Sequence, residues 1–190
     1  MAGVSRSHAE PAEKWIDPPG AETPEVAALI DAAAKAFERG TPSSVLCDAR
    51  FAAIHAYPRF RATIATHATT APLTIVAKDE PGERVVLTLE TAPGALVYLY
   101  QTSAKGWYSD EAHHIRAHGG DQHHARLFGY VRADNSGVAV INTIRPAGYP
   151  GTDLPEHFHI EAGNRVTEIL FAKANPVKDG ATWRIRAAIK

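Results

Sequence analysis

Two periodicities divide this chain. Between Thr23 and Gly40 the apolar residues Val26, Leu29, Ile30, Ala33 and Phe37 recur at helical spacing, which predicts an amphipathic helix. Thr23 is its expected N-cap, Pro24 occupies the first helical position, where a missing N–H costs nothing, and Gly40 closes the segment. A second helix is expected from about 44 to 56, ending near Pro58. From Leu73 onward the pattern changes to short β-rich runs at 73–76, 84–89, 96–101, 127–132, 138–142, 157–162 and 167–172. Turn signals at Pro81-Gly82, Pro93-Gly94, Asn135-Ser136-Gly137 and Asp179-Gly180 lie between or beyond them. Many short strands after a helical start predict a mainly β fold: an antiparallel β-sandwich with a short N-terminal helical segment. The expected organisation is a flexible N-terminal arm over 1–22, containing Pro18-Pro19-Gly20, a helical segment over 23–60, and the sandwich domain over 70–190.

The run His157-Phe158-His159 carries the most chemistry. On a strand, residues two apart project to the same side, so both imidazoles can face one metal while Phe158 points into apolar packing. Tyr149, in the loop just upstream, adds an oxygen donor. Two nitrogens and a phenolate suit a hard, oxidised iron better than zinc, whose usual ligands are Cys, His and carboxylate. Taken alone, two strand histidines are more often ordinary hydrogen-bonding residues; the rest of the chain must supply further donors.

It does so in ordered segments. Gly94-Ala95-Leu96-Val97 leads through Gln101 to Gly106-Trp107-Tyr108; Arg126-Leu127-Phe128-Gly129 leads to Asp134-Asn135-Ser136-Gly137; then come Thr143-Ile144-Arg145-Pro146-Ala147-Gly148-Tyr149-Pro150 and the paired histidines. In this order, over residues 80–172, the chain resembles the intradiol ring-cleavage dioxygenases, the non-haem Fe(III) proteins that open catechol, protocatechuate or hydroxyquinol rings. The resemblance implies a Fe(III) cofactor held by Tyr108, Tyr149, His157 and His159. Tyr149 would be the axial tyrosinate that leaves when substrate binds, and Tyr108 the equatorial one, so both count as catalytic. His157 would be equatorial and His159 axial. The implied reaction uses dioxygen to cleave a catechol-type ring between its two hydroxylated carbons, giving a muconate-type diacid. The implied partners are a small catechol or hydroxyquinol, O2 and further copies of the chain in a homo-oligomer. A free tyrosine ionises near pH ~10, so a phenolate at neutral pH needs a strongly positive neighbour, which ferric iron provides.

Two departures from the family pattern bear on substrate choice. The family commonly has an Arg three residues before the first histidine, where this chain has Leu154, and a Gln in a T-Q-x-x-F strand, where it has Glu168. Losing a cation and gaining a carboxylate predicts a neutral or cationic catechol, or a catechol borne on a larger molecule. Arg126 and Arg145 are candidate replacements for the cation, and Trp107 a candidate pocket wall. Five histidines crowd 113–124; His113, His114 and His124 are the candidate base or substrate contacts among them, against the plainer reading of a solvated polar loop. Tyr98, Tyr100 and Tyr130 alternate within strands and read as packing or pocket-wall residues.

Two other classes compete. Gly151, His157 and His159 match a cupin opening, but the positions that should hold its Glu are Gly163 and Asn164, and no histidine follows His159. A non-catalytic β-sandwich used for binding or assembly needs no such donor set, although the absent Arg fits it. Composition narrows the rest. With 190 residues and 45% hydrophobic content, one good core is affordable, and a net charge of −1 suggests neither nucleic acid nor a membrane surface as partner. Residues 1–15 lack an apolar leader core and no apolar run reaches the ~18 residues of a span, so a cytoplasmic location is expected. Cys47 is alone, which rules out an intrachain disulfide.

Overall fold

The computed structural model describes residues 21–109, 125–163 and 165–189. The expected N-terminal arm up to residue 20 and the histidine-rich stretch, including His113, His114 and His124, lie outside the described residues. Helix α1 (Pro24–Phe37) forms as its pattern dictates: Thr23 Oγ1 accepts from the Val26 N–H at 3.3 Å, and Ile30, Ala33 and Phe37 are buried on one face. The expected second helix is instead broken. Helix α2 (Pro42–Leu46), closed by a capping box between Thr41 and Ser44, is followed by a separate 3-10 turn over Ala49–Ile54. The break falls where the Asp48 side chain accepts from the Arg50 N–H and starts a new turn. Pro58 does not end this stretch but begins helix α3 (Pro58–Thr66), as its fixed φ and missing N–H favour.

The rest is mostly strand, in two sheets. One is five-stranded in the order β1-β5-β2-β9-β8, from β1 (Leu73–Thr74), β5 (Val138–Ile144), β2 (Arg84–Glu90), β9 (Thr182–Ala188) and β8 (Val177–Asp179). The other is β4-β3-β6-β7, from β4 (Leu127–Arg132), β3 (Leu96–Gln101), β6 (His157–Ala162) and β7 (Arg165–Leu170). The second sheet is antiparallel throughout, as expected. The first is mixed, because β1 runs parallel to β5 and β9 parallel to β2. The run expected at 167–172 starts earlier as β7 and gives way to a 3-10 turn over Phe171–Lys173. The β8–β9 hairpin around Asp179-Gly180 is an addition to the strands foreseen.

Both sheets feed one hydrophobic core through period-two burial. Val85, Leu87 and Leu89 alternate inward on β2, Val97 and Leu99 on β3, and Phe158 and Ile160 on β6. Buried Gln101 at the end of β3 ties the sheets together: its Nε2 donates to the Ile144 carbonyl at 3.0 Å, and the Thr143 hydroxyl donates to its Oε1 at 2.7 Å. Helix α3 packs on β4 and α2 on β1. No helix among the described residues is long and apolar enough to cross a membrane. Strand β6, paired on both sides by β3 and β7, is the element that positions the site.

Candidate metal centre

His157 and His159 point to the face of β6 opposite Phe158, which is fully buried in the core, as alternation requires. Their Nε2 atoms lie 2.9 Å apart. His157 Nδ1 donates to the Pro155 carbonyl at 2.7 Å. A carbonyl only accepts, so the neutral ring carries its proton on Nδ1 and turns the Nε2 lone pair into the site. His159 stacks on Tyr100, its cross-strand neighbour on β3, with centroids 4.6 Å apart and planes 3° from parallel.

The tyrosines arrive on two loops that interlock. Thr102 donates its hydroxyl to the Ala147 carbonyl at 2.7 Å, and the Ala147 N–H donates to the Ser103 carbonyl at 3.2 Å. Gly106, at φ +81°, turns the first loop so tightly that a Cβ there would sit 2.2 Å from the Gly148 carbonyl oxygen. Only glycine allows the two loops to meet this closely. The Arg126 N–H then fixes the first loop by donating to the Tyr108 carbonyl at 2.8 Å.

The result is a buried cluster. Tyr108 Oη lies 2.5 Å from Tyr149 Oη and 2.8 Å from His159 Nε2; Tyr149 Oη lies 3.0 Å from His157 Nε2 and 3.4 Å from His159 Nε2. Burial, reinforced by Tyr149 beside it, pushes the Tyr108 hydroxyl well above the usual phenol range. Burial, reinforced by His157, pushes His159 down to about 3. Burial thus favours a protonated Tyr108 hydroxyl and a neutral His159 ring. A cation reverses that balance, because ligand atoms must be deprotonated to bind it and its charge compensates the phenolates. Donors about 2.0–2.1 Å from one ion lie roughly 3 Å from each other, which these separations match. The donor set fits a ferric ion.

The other sequence candidates are placed elsewhere. Arg126 is held by Glu80 through two bonds of 2.7 and 2.8 Å, and lines a groove with Trp107, Ser103 and Lys105. Arg145 pairs with Glu156 at 2.9 Å and Glu83 at 3.0 Å, and covers the Phe171 ring. Leu154 is 46% exposed on the loop before β6. Glu168, opposite His159 in the β6–β7 register, does reach the cluster, with Oε1 3.9 Å from His159 Nδ1. Sequence reasoning left three supports unassigned: Tyr100 against His159, the Gln101 clasp and the Gly106–Gly148 contact. The first was signalled by alternation on β3; the other two join residues distant in the chain.

No protein-family model matches this sequence, and no curated protein sequence does. Among solved structures, the chain is similar to the dioxygenase domain of a dioxygenase carbohydrate-binding fusion from Streptomyces sp. SirexAA-E, at 17% identity and TM-score 0.46, covering 65% of this chain and 89% of that one. It is also similar to an intradiol ring-cleavage dioxygenase from Tetranychus urticae, at 17% identity and TM-score 0.47, covering 64% and 84%. A third is 3-chlorocatechol 1,2-dioxygenase from Rhodococcus opacus 1CP, at 18% identity and TM-score 0.44, covering 64% of this chain and 62% of that enzyme's length.

Proposed function

We propose that this protein is a Fe(III)-dependent intradiol dioxygenase that opens a catechol-type ring between its two hydroxylated carbons. The observation that carries this reading is the convergence of Tyr108, Tyr149, His157 and His159 on one buried point. These four residues would hold the ion. When bound, ferric iron supplies Lewis acidity and a template on which a chelated catechol becomes reactive toward dioxygen. The chain's own part is positioning and proton handling. His157, fixed by Pro155, and His159, stacked on Tyr100, turn their Nε2 atoms toward the two phenols. Tyr149 Oη, in contact with Tyr108 and both histidines, is the base placed to take a proton from an incoming catechol hydroxyl. Tyr108, almost fully buried, stays as the fixed oxygen donor.

The experiment is a visible spectrum of protein loaded with Fe(III), with iron analysis. A phenolate-to-iron charge-transfer band at about one iron per chain, shifting when catechol is added without oxygen, supports the reading. A folded protein that stays colourless overturns it. A second reading, a non-catalytic binding protein, is favoured by one observation: both candidate cations, Arg126 and Arg145, are tied up in ion pairs. It predicts a coloured protein that binds catechol but consumes no oxygen.

A further inference from the structure

The two histidines of the cluster are backed by different groups. Behind His157 stands the Pro155 carbonyl, a neutral acceptor at 2.7 Å. Behind His159 stands a carboxylate. Glu168 is the residue directly opposite it on β7, and the shared sheet face brings Oε1 to 3.9 Å from Nδ1.

His157, His159 and Glu168 together form a group able to share an ion. The geometry argues against Glu168 as a direct ligand. His157 has committed Nδ1 to Pro155, so an ion it holds must sit at Nε2, where His159 also presents Nε2 and both phenols converge. Glu168 lies at the other nitrogen of His159, on the far side of that ring. At 3.9 Å the contact is longer than a hydrogen bond, and the half-exposed Glu168 side chain has solvent around it in which to turn toward Nδ1.

Charge balance gives this placement a purpose. A trivalent ion brings more positive charge into a buried site than a divalent one does, and charge there is costly unless it is compensated. We propose that Glu168 is the counter-charge and positioning residue of the site: it takes the Nδ1–H of His159, fixes the tautomer that aims Nε2 at the metal, and favours a trivalent ion over a divalent one. This rests on the ferric reading above. Carboxylate–histidine–metal pairing of this type orients the ring and raises its donor strength.

The test compares wild type, Glu168→Gln and Glu168→Asp, using Ga(III) and Zn(II) as redox-inert probes in chelator competition. Glu168→Gln should bind Ga(III) about tenfold more weakly with Zn(II) affinity little changed, and Glu168→Asp should recover most of the loss. Loaded with Fe(III), Glu168→Gln should also move the visible band to longer wavelength, because a less compensated ion is the better electron acceptor. Thermal midpoints of the metal-free proteins check that the fold is intact. An unchanged Ga(III) affinity, or equal losses for both ions, overturns the counter-charge role. Complete loss of both ions from a folded variant makes Glu168 a ligand and overturns it too. If folded wild type forms no coloured Fe(III) complex, the ferric reading falls and takes this proposal with it; a coloured wild type with an unaltered variant sinks this proposal alone.

Discussion

His55 and His159 are both buried and both stacked on aromatic rings. His55 lies face to face with Phe60 at 5.4 Å and edge-on to Phe128 at 5.2 Å; His159 stacks on Tyr100 at 4.6 Å. Burial pushes both down in basicity, to about 4 and about 3. They differ in what their Nε2 atoms meet. The Nδ1 of His55 donates to the Arg126 carbonyl at 3.2 Å and its Nε2 is buried without a partner among the described residues, whereas the Nε2 of His159 faces His157 and both phenols. Burial and depressed basicity thus mark a packed histidine as readily as one proposed to hold a metal. What separates them is convergence of donor atoms.

The largest expected effect breaks the comparison at its functional end. His159→Ala should lower Fe(III) affinity by more than the roughly 100-fold that bounds losses from supporting residues, and abolish the visible band; His55→Ala should leave the band in place. Iron titration followed by absorbance checks both. His55→Ala should instead cost stability, on the order of 3 kcal/mol for emptying an aromatic-lined space, read by urea unfolding. Acid sharpens the same point. The folded pKa of His55 is about 4 against an ordinary 6.5, so between these values the unfolded chain binds a proton that the folded chain refuses. Its contribution is fully present at neutral pH and is lost as pH falls from about 6.5 toward 4, by up to about 3 kcal/mol. His55→Phe, which cannot titrate, should flatten the fall in unfolding free energy between pH 7 and 4.5.

Smaller effects concern the approach to the cluster. Gly106→Ala places a Cβ against the Gly148 carbonyl at positive φ, so about 1–3 kcal/mol of strain is expected, with the loops pushed apart. Weakened iron binding, measured beside unfolding, distinguishes this from a purely local defect. Leu154→Arg, at an exposed position, should change stability by less than about 0.5 kcal/mol. Its expected outcome is a gain in affinity for a carboxylate-bearing catechol, read by band shift under anaerobic titration.

The paired histidines of β6 were legible because alternation is a local rule, and α1 because Thr23, Pro24 and the apolar stripe agree. The second helix misled because Asp48 and Pro58 both act at the level of one turn: the first starts a new turn, and the second opens α3 where it seemed to mark an end. Strand β9 escaped because Arg184-Ile185-Arg186-Ala187 offers little apolar contrast, and its parallel partner β2 lies some ninety residues earlier. The candidate site could be listed residue by residue from the sequence, but its assembly could not. Nothing local shows that Gly106 and Gly148 meet, or that Arg126 and Arg145 are already engaged by Glu80, Glu83 and Glu156.

The alternation along β6 also gives that strand a reading frame. Its even-numbered residues Phe158 and Ile160 fill the core while the odd-numbered His157 and His159 face the tyrosines. A slip of a single residue against β3 would carry both imidazoles into the interior and both apolar side chains out of it. Insertions within β6 should therefore erase the proposed metal centre and the core together. An insertion at the β6–β7 turn beside Gly163, where added atoms meet open space, should spare both.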